Sequence, residues 1–245
     1  MSATVIIPAR LRSTRFPDKV LAAQTGRPLV QHVVDQVRKC QRVRAVIVAA
    51  DDRKIVDALK PFDTRCVLTD PAHLSGTDRI AQVARELNDD IIINVQGDEP
   101  EIEPETIDRL VHRLETSEDD MVTAATGFPA GAEPGDPNLV KVVVTRTGYA
   151  MYFSRSPIPF YRETSGGREQ HLLHLGIYGY RREFLFHYAS WPPTPCEQAE
   201  KLEQLRALEC GHMIHVTRVD RATHGIDIPE QYAAFVRRYG SEQSA

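Results

Sequence analysis

Cysteine is scarce in this chain, and the four present, Cys40, Cys66, Cys196 and Cys210, form no C-x-x-C pair. That spacing gives no framework for structural zinc or disulfides and fits a reduced, cytoplasmic protein. No apolar run approaches the roughly 20 residues needed to span a bilayer. The charge at Arg10 comes too early for the apolar core of a signal peptide, so no membrane association is expected. Positive charge is not in excess: the net charge is -4, which argues against general nucleic-acid binding. Three phosphate and nucleophile signatures are missing as well, namely G-x-G-x-x-G, the Walker A run and the G-x-S-x-G elbow. Repeats and low-complexity segments are absent.

What is present is an alternation of strand and helix signals. With 42% hydrophobic residues in 245, the chain can bury a sizeable core as one large domain or a domain with a lobe. The apolar strand Thr4–Ile7 precedes helical spacing at Val30, Val33, Val34 and Val37. The run Ala45–Ala50 precedes a helix carrying Ile55, Ala58 and Leu59. Cys66–Leu68 is a short strand, Ile80, Val83, Ala84 and Leu87 recur at helical spacing, and Asp90–Val95 is a further strand. Ile107, Leu110, Val111 and Leu114 give another amphipathic helix. Continuous rather than alternating apolar strands, separated by helices, predict a doubly wound α/β fold with a mostly parallel sheet covered on both faces. After about residue 127 the pattern changes. A loop rich in Pro, Gly and Ala leads to a hairpin, Val140–Val144 and Tyr149–Phe153, and Pro157, Pro159, Gly166 and Gly167 mark an irregular excursion. His174–Tyr180 reads as a strand and Glu197–Glu209 as a helix ending at Gly211. Residues 128–195 are expected to form a smaller mixed α+β lobe inserted in a single 1–245 domain. A strand at Ile214–Val219 and a helix at Pro229–Tyr239 follow it and are expected to return to the main sheet.

Arg10, Arg12, Arg15 and Lys19, with the hydroxyls of Ser13 and Thr14, crowd the turn after the first strand. In an acidic protein this is a local positive site at the carboxyl end of strand one, where open α/β sheets bind ligands. Forked and point cations there suit a polyphosphate. Val95-Gln96-Gly97-Asp98-Glu99-Pro100 follows the strand Ile91–Val95. A carboxylate beside a glycine at a strand end suits Mg²⁺, which takes one or two protein carboxylates and completes its shell with phosphate and water. Asp227, in Gly225-Ile226-Asp227-Ile228-Pro229, is a second such carboxylate. Asp98 can equally be a turn residue and Asp227 a helix N-cap before Pro229. Ser75 or Thr77 can cap the helix that follows His73, and the same helix N-terminus can bind an anion or nucleobase. The pairs His171/His174 and His212/His215 have neither i, i+4 spacing nor a cysteine neighbour, which argues against zinc. Trp191, between Ser190 and Pro192-Pro193, reads as packing.

Ile7-Pro8-Ala9-Arg10, Ser13-Thr14-Arg15-Phe16-Pro17 and Lys19 form one motif, and His73-Leu74-Ser75-Gly76-Thr77 and Asn94–Pro100 form two more. With Asn138–Val143, Tyr152–Pro159, His174–Tyr180 and Glu200–Arg206 they resemble the 3-deoxy-manno-octulosonate cytidylyltransferase family. The motifs run in the family's order from residue 5 to Asp227. The resemblance implies attack of a sugar-acid hydroxyl on the α-phosphate of CTP, with release of pyrophosphate. It further implies Pro8, Ala9, Arg10, Ser13, Arg15, Lys19, Ser75, Gly76 and Thr77 as CTP contacts, with Arg10 and Lys19 on the triphosphate. Asp98 and Asp227 would hold Mg²⁺, and Gln96, Arg155, His174, Tyr178 and Glu203 would meet the sugar acid. An Arg fork suits a carboxylate, which makes Arg155 its expected partner. A homodimer and a role in making lipopolysaccharide's inner sugar are implied too. Two departures stand out: Asp18 where a glycine is common, and Leu173 where a basic residue is usual. Alternatives are a synthetase for sialic acid or an amino-substituted octulosonate, a nucleotide-binding regulator without turnover, and a pure interaction module.

Overall fold

The computed structural model describes residues 1–13, 15–73, 75–163, 170–222 and 225–242. The readings on Thr14, Leu74, Gly166 and Gly167 lie outside the described residues. The chain divides into two compact units, residues 1–108 with 223–245, and residues 109–222.

The first unit is built on four parallel strands. β1 (Ala3–Ala9) lies between β2 (Ala45–Ala50) and β4 (Ile91–Asn94), and β2 carries β3 (Cys66–Leu68) on its outer side. Val5, Ile6 and Ile7 are fully buried, as are Ile47, Val48 and Ile91 to Ile93. Burial on both faces explains why these strands read as unbroken apolar runs. The chain winds outward from β1 through β2 to β3, then returns to the other side of β1 for β4. That reversal opens a crevice beyond the carboxyl ends of β1 and β4, where doubly wound sheets take their ligands. Helices α1 (Leu29–Val37), α2 (Arg53–Leu59) and α3 (Gly76–Ala84) connect the strands. In α4 (Pro104–Thr116) the chain passes from the first unit into the second.

The second unit centres on β5 (Met121–Gly127), which is followed by the hairpin β6 (Lys141–Val144) and β7 (Ala150–Ser154) and by β8 (Leu172–Arg181). Next come α5 (Arg182–Ser190), α6 (Pro195–Glu200), α7 (Leu205–Glu209) and β9 (Ile214–Arg218). β5 pairs antiparallel with β8 and parallel with β9. Residues 128–195 fall inside this unit, which also takes in β5, β9 and the helices between β8 and β9. α8 (Pro229–Glu242) returns to the first unit.

The single helix expected over Glu197–Glu209 is two helices. α6 starts with Pro195 after a Thr194–Glu197 capping box and ends where Lys201 turns left-handed at φ 54°. A left-handed residue ends an α-helix because it points the chain away from the next turn. β5 and α5 had no expectation. β5 is made of small residues without alternation, and it is identified as a strand only by being buried between two partners.

Candidate active site

The cleft begins with the backbone of the loop after β1. Asp18 adopts the left-handed conformation (φ 55°, ψ 23°), and a single 3-10 turn, Lys19–Leu21, follows it. Glycine meets that torsional demand most easily, and Asp is among the few side chains that tolerate it. The departure at position 18 is thus accommodated by the backbone, with the Asp18 side chain exposed. One turn back, Phe16 packs on Tyr232 at 5.6 Å between ring centroids. It joins a cluster of Leu29, Ile226, Tyr232 and Phe235. Apolar burial of Phe16 and Ile226 in one cluster brings residues 15–19 and 225–227 together, although more than 200 positions separate them in sequence.

The result is a cleft of about 350 Å³ lined by Pro8, Arg10, Arg12, Ser13, Arg15, Lys19, Gln96, Gly97, Asp98 and Asp227 among others. Lys19 is its charged centre. Its Nζ donates to Asp98 Oδ2 at 2.6 Å and to Asp227 Oδ1 at 3.2 Å, and Arg15 reaches Asp227 Oδ2 at 3.1 Å. Lys19 is nearly buried, while Asp98 and Asp227 are part-exposed. Asp227 does not cap α8 in the simple way its sequence suggests. Its carboxylate faces the two cations, and Gln231 Oε1 accepts from the Asp227 and Ile228 backbone N–H groups instead. The Ile226 N–H donates to the Asp98 carbonyl at 2.9 Å, tying the two carboxylate-bearing segments directly. Gly97 allows close passage: a Cβ there would stand 3.1 Å from the Pro8 carbonyl oxygen.

Two carboxylates converging on one cation are a chemically suitable donor set for Mg²⁺, a hard ion that binds oxygen. The ammonium of Lys19 is the stand-in that shows the convergence. No cluster of three or more metal-ligating side chains occurs among the described residues. The remaining ligands would therefore have to come from phosphate and water.

Of the other residues expected to meet CTP, Ala9 ends β1 and is buried. Ser75 closes a full capping box with Asp78: Ser75 Oγ accepts from the Asp78 N–H at 3.0 Å, and Asp78 accepts from the Ser75 N–H. Gly76 lies against the Pro8 ring, with its Cβ position 3.4 Å away, and Thr77 is buried. The helix N-terminus therefore abuts the cleft wall. Arg79, one turn further on, has no sequence expectation attached to it. It is fully buried, and its Nη1 donates to Thr69 Oγ1 at 2.5 Å and to the Asp70 carbonyl. Its Nε and Nη2 find no partner among the described residues. Burial lowers its pKa, with Asp51 opposing and Arg10 reinforcing the shift. A Ser-Gly-Thr-Asp-Arg run opening a helix was the available signal.

Gln96 lies in the first unit, and the remaining sugar-side residues lie in the second. On a regular strand His174 and Tyr178 would sit about 13 Å apart. β8 is bulged opposite Thr123/Ala124, which shortens the strand between His174 and Tyr178, and their ring centroids lie 5.6 Å apart. The buried His174 ring meets Thr123 Oγ1 at 2.9 Å, and desolvation pushes its pKa down to about 3, so it is neutral. From Tyr178 an aromatic series runs through Tyr180 to Tyr188, whose hydroxyl donates to the Glu203 carbonyl at 2.7 Å. Arg155 is differently committed. Its guanidinium donates to the carbonyls of Glu200, Pro137 and Lys201, and Glu200 accepts from its backbone N–H. Three of its five N–H groups are thereby engaged. Leu173 is buried and pairs with Lys141 of β6.

The Cytidylyltransferase family model matches residues 4–214. A 3-deoxy-manno-octulosonate cytidylyltransferase of Geobacter sulfurreducens is 45% identical over 239 residues, covering 94% of this chain and 96% of that one. The protein of that name from Pelobacter propionicus is 42% identical over the full length of both. Among solved structures, a CMP:2-keto-3-deoxy-manno-octonic acid synthetase complexed with CTP superposes with a TM-score of 0.93 at 38% identity, covering 99% of this chain and all of that one. A 4-diphosphocytidyl-2C-methyl-D-erythritol synthase from Anaerococcus prevotii, 12% identical with a TM-score of 0.63, shares the fold. With crevice, cations and paired carboxylates in place, this chain belongs to the 3-deoxy-manno-octulosonate cytidylyltransferase family.

Proposed function

We propose that the protein transfers CMP from CTP to the anomeric hydroxyl of 3-deoxy-manno-octulosonate, releasing pyrophosphate. The observation that carries this reading is the convergence of Arg15, Lys19, Asp98 and Asp227 in one cleft at the sheet's switch point. Near-full-length relatives of that activity support it.

Displacement at phosphorus asks a protein chiefly for positioning and charge stabilisation. Arg10 and Lys19 bind the triphosphate, and Arg15 assists. Ser13, with the α3 N-terminus at Ser75, Gly76 and Thr77, contacts the nucleotide through hydroxyl and backbone N–H groups. Pro8 lines the cleft, and Ala9, buried at the end of β1, backs it. Asp98 and Asp227 would hold Mg²⁺, which would supply neutralisation of phosphate charge and acidify the attacking hydroxyl. Gln96, His174, Tyr178 and Glu203 recognise the sugar acid. His174 acts as a neutral hydrogen-bonding group, since its desolvated ring stays unprotonated at neutral pH. Arg155 offers its remaining N–H groups to the carboxylate while it pins the 137 and 200–201 loops.

The cytoplasm is the compartment this reading assigns, consistent with cysteines that are all free. No helix among the described residues is long and apolar enough to cross a membrane. Met151, Phe160 and Met213 of the second unit are exposed, apolar side chains that a homodimer would have reason to cover.

The test is pyrophosphate release with Mg²⁺, crossing CTP, UTP and ATP against 3-deoxy-manno-octulosonate, its amino-substituted analogue and sialic acid. Release with CTP and octulosonate alone is expected. CTP binding without pyrophosphate release in the presence of any of these sugars would refute the catalytic reading in favour of a regulator.

A further inference from the structure

We infer that Lys19 is an internal counterion that keeps the metal site closed until a nucleotide arrives. Its ammonium occupies the point on which Asp98 and Asp227 converge, 2.6 Å and 3.2 Å from their oxygens. The contact is not a loose surface pair: the Lys19 side chain is only 10% exposed, and the left-handed Asp18 and the following 3-10 turn fix its origin. Mg²⁺ bonds oxygen at about 2.1 Å. A divalent ion on Asp98 would sit beside an ammonium already bonded to the same carboxylate. The two cations repel, so metal entry requires Lys19 to swing away.

A nearly buried ammonium that leaves both carboxylates is best received by another anion within the cleft. The walls near it carry Arg10, Arg12 and Arg15, which repel it. The triphosphate of CTP is the anion of suitable charge. Metal and nucleotide affinities are therefore linked through one side chain, and the linkage is reciprocal: each ligand strengthens the other. The nucleotide-free protein is thereby kept from holding a metal ion without a substrate. This inference rests on the reading of Asp98 and Asp227 as metal ligands.

Mn²⁺ is the probe, titrated by electron paramagnetic resonance into nucleotide-free protein. Lys19→Met, which keeps the aliphatic stem and removes the charge, is expected to bind Mn²⁺ at least tenfold more tightly than wild type. Adding Asp98→Asn to that variant is expected to abolish the gain. An affinity within twofold of wild type overturns the counterion role, and the metal assignment survives if CTP-loaded wild type binds Mn²⁺ more tightly than CTP-loaded Asp98→Asn. Equal binding by those two refutes the metal assignment itself. Should Lys19→Met not fold, acetic anhydride labelling of wild-type Lys19 decides the question. Labelling that rises with Mg²⁺ alone overturns the inference, and labelling that changes only when CTP is added supports it.

Discussion

Replacing Gly97 with alanine separates the space the site needs from the stability of the fold. Gly97 does not occupy the left-handed region, so backbone torsion is no obstacle to a side chain there. Room is the obstacle. The new Cβ would stand 3.1 Å from the Pro8 carbonyl oxygen, 3.5 Å from Ile7 Cγ2 and 3.7 Å from Val30 Cγ2. The carbonyl contact falls about 0.3 Å inside ordinary van der Waals distance, and Pro8 is held in place by its pairing with Ala49 of β2. The 97–98 backbone must move instead. Burying the methyl contributes roughly 0.8 kcal/mol, while overpacking costs about 1 to 3 kcal/mol. A net loss of about 1 kcal/mol is expected in urea unfolding. The larger effect falls on Asp98, whose displacement takes its carboxylate out of convergence with that of Asp227. A misplacement of 1 Å can cost about a hundredfold in rate, so a few tenths should lower turnover about tenfold. Gly26→Ala is the control. Gly26 has φ +83° with no atom near its Cβ position, so alanine there costs about 1 to 2 kcal/mol of left-handed strain away from the cleft. Comparable destabilisation by both variants, with turnover lost only in Gly97→Ala, is the expected pair of results. Normal turnover in Gly97→Ala, or equal loss in both, would refute the packing argument.

Asp98→Asn should reduce Mg²⁺-dependent pyrophosphate release at least a hundredfold while CTP still binds; near-normal release would remove Asp98 from the metal site. Arg155→Ala leaves three carbonyls without their charged donor, and hydrogen bonds to charged groups are worth about 1.5 to 3 kcal/mol each, not additively. Its urea midpoint should fall by the equivalent of about 2 to 4 kcal/mol and its sugar-acid KM should rise more than its CTP KM. Equal changes in the two KM values would overturn the sugar role. His174, held near pKa 3 by burial against an unfolded value of 6.5, binds its proton more readily when unfolded. Stability should therefore be fully present above pH 6.5 and decline as pH falls from 6.5 towards 3, by at most about 1.4 kcal/mol per pH unit from this one group. His174→Asn should flatten that part of the urea-stability profile; an unchanged slope would show that the ring is not the source.

Much of the first unit was legible because its strands are buried on both faces and write themselves as apolar runs, as Val5 to Ile7 and Ile91 to Ile93 do. The cations of the β1 loop could be placed at a strand end for the same reason. Long-range consequences were not legible. Nothing in the sequence near Asp227 announces that Ile226 and Phe16 share one apolar cluster, and without that cluster a cap and a cleft carboxylate look alike. The break at Lys201 escaped because a lysine in the left-handed conformation carries no glycine signal. α5 carries Phe184, Leu185 and Tyr188 at helical spacing, but it follows β8 without a turn and its N-cap, Arg181, bears no capping signal. The partners of Arg155 are backbone carbonyls, which have no sequence signature at all.

The chain's one tryptophan sits in the second unit, in edge contact with Phe184 and Tyr188 at 5.8 Å and tilted over His212 at 4.9 Å. Those contacts make it an optical reporter installed in one half of the molecule. Its emission follows the melting of the cluster it forms with Phe184, Tyr188 and His212. Fluorescence and nucleotide-dependent protection from proteolysis thus report on different halves of the same polypeptide. Run on one denaturation series, they say whether the two halves come apart in one transition or in two.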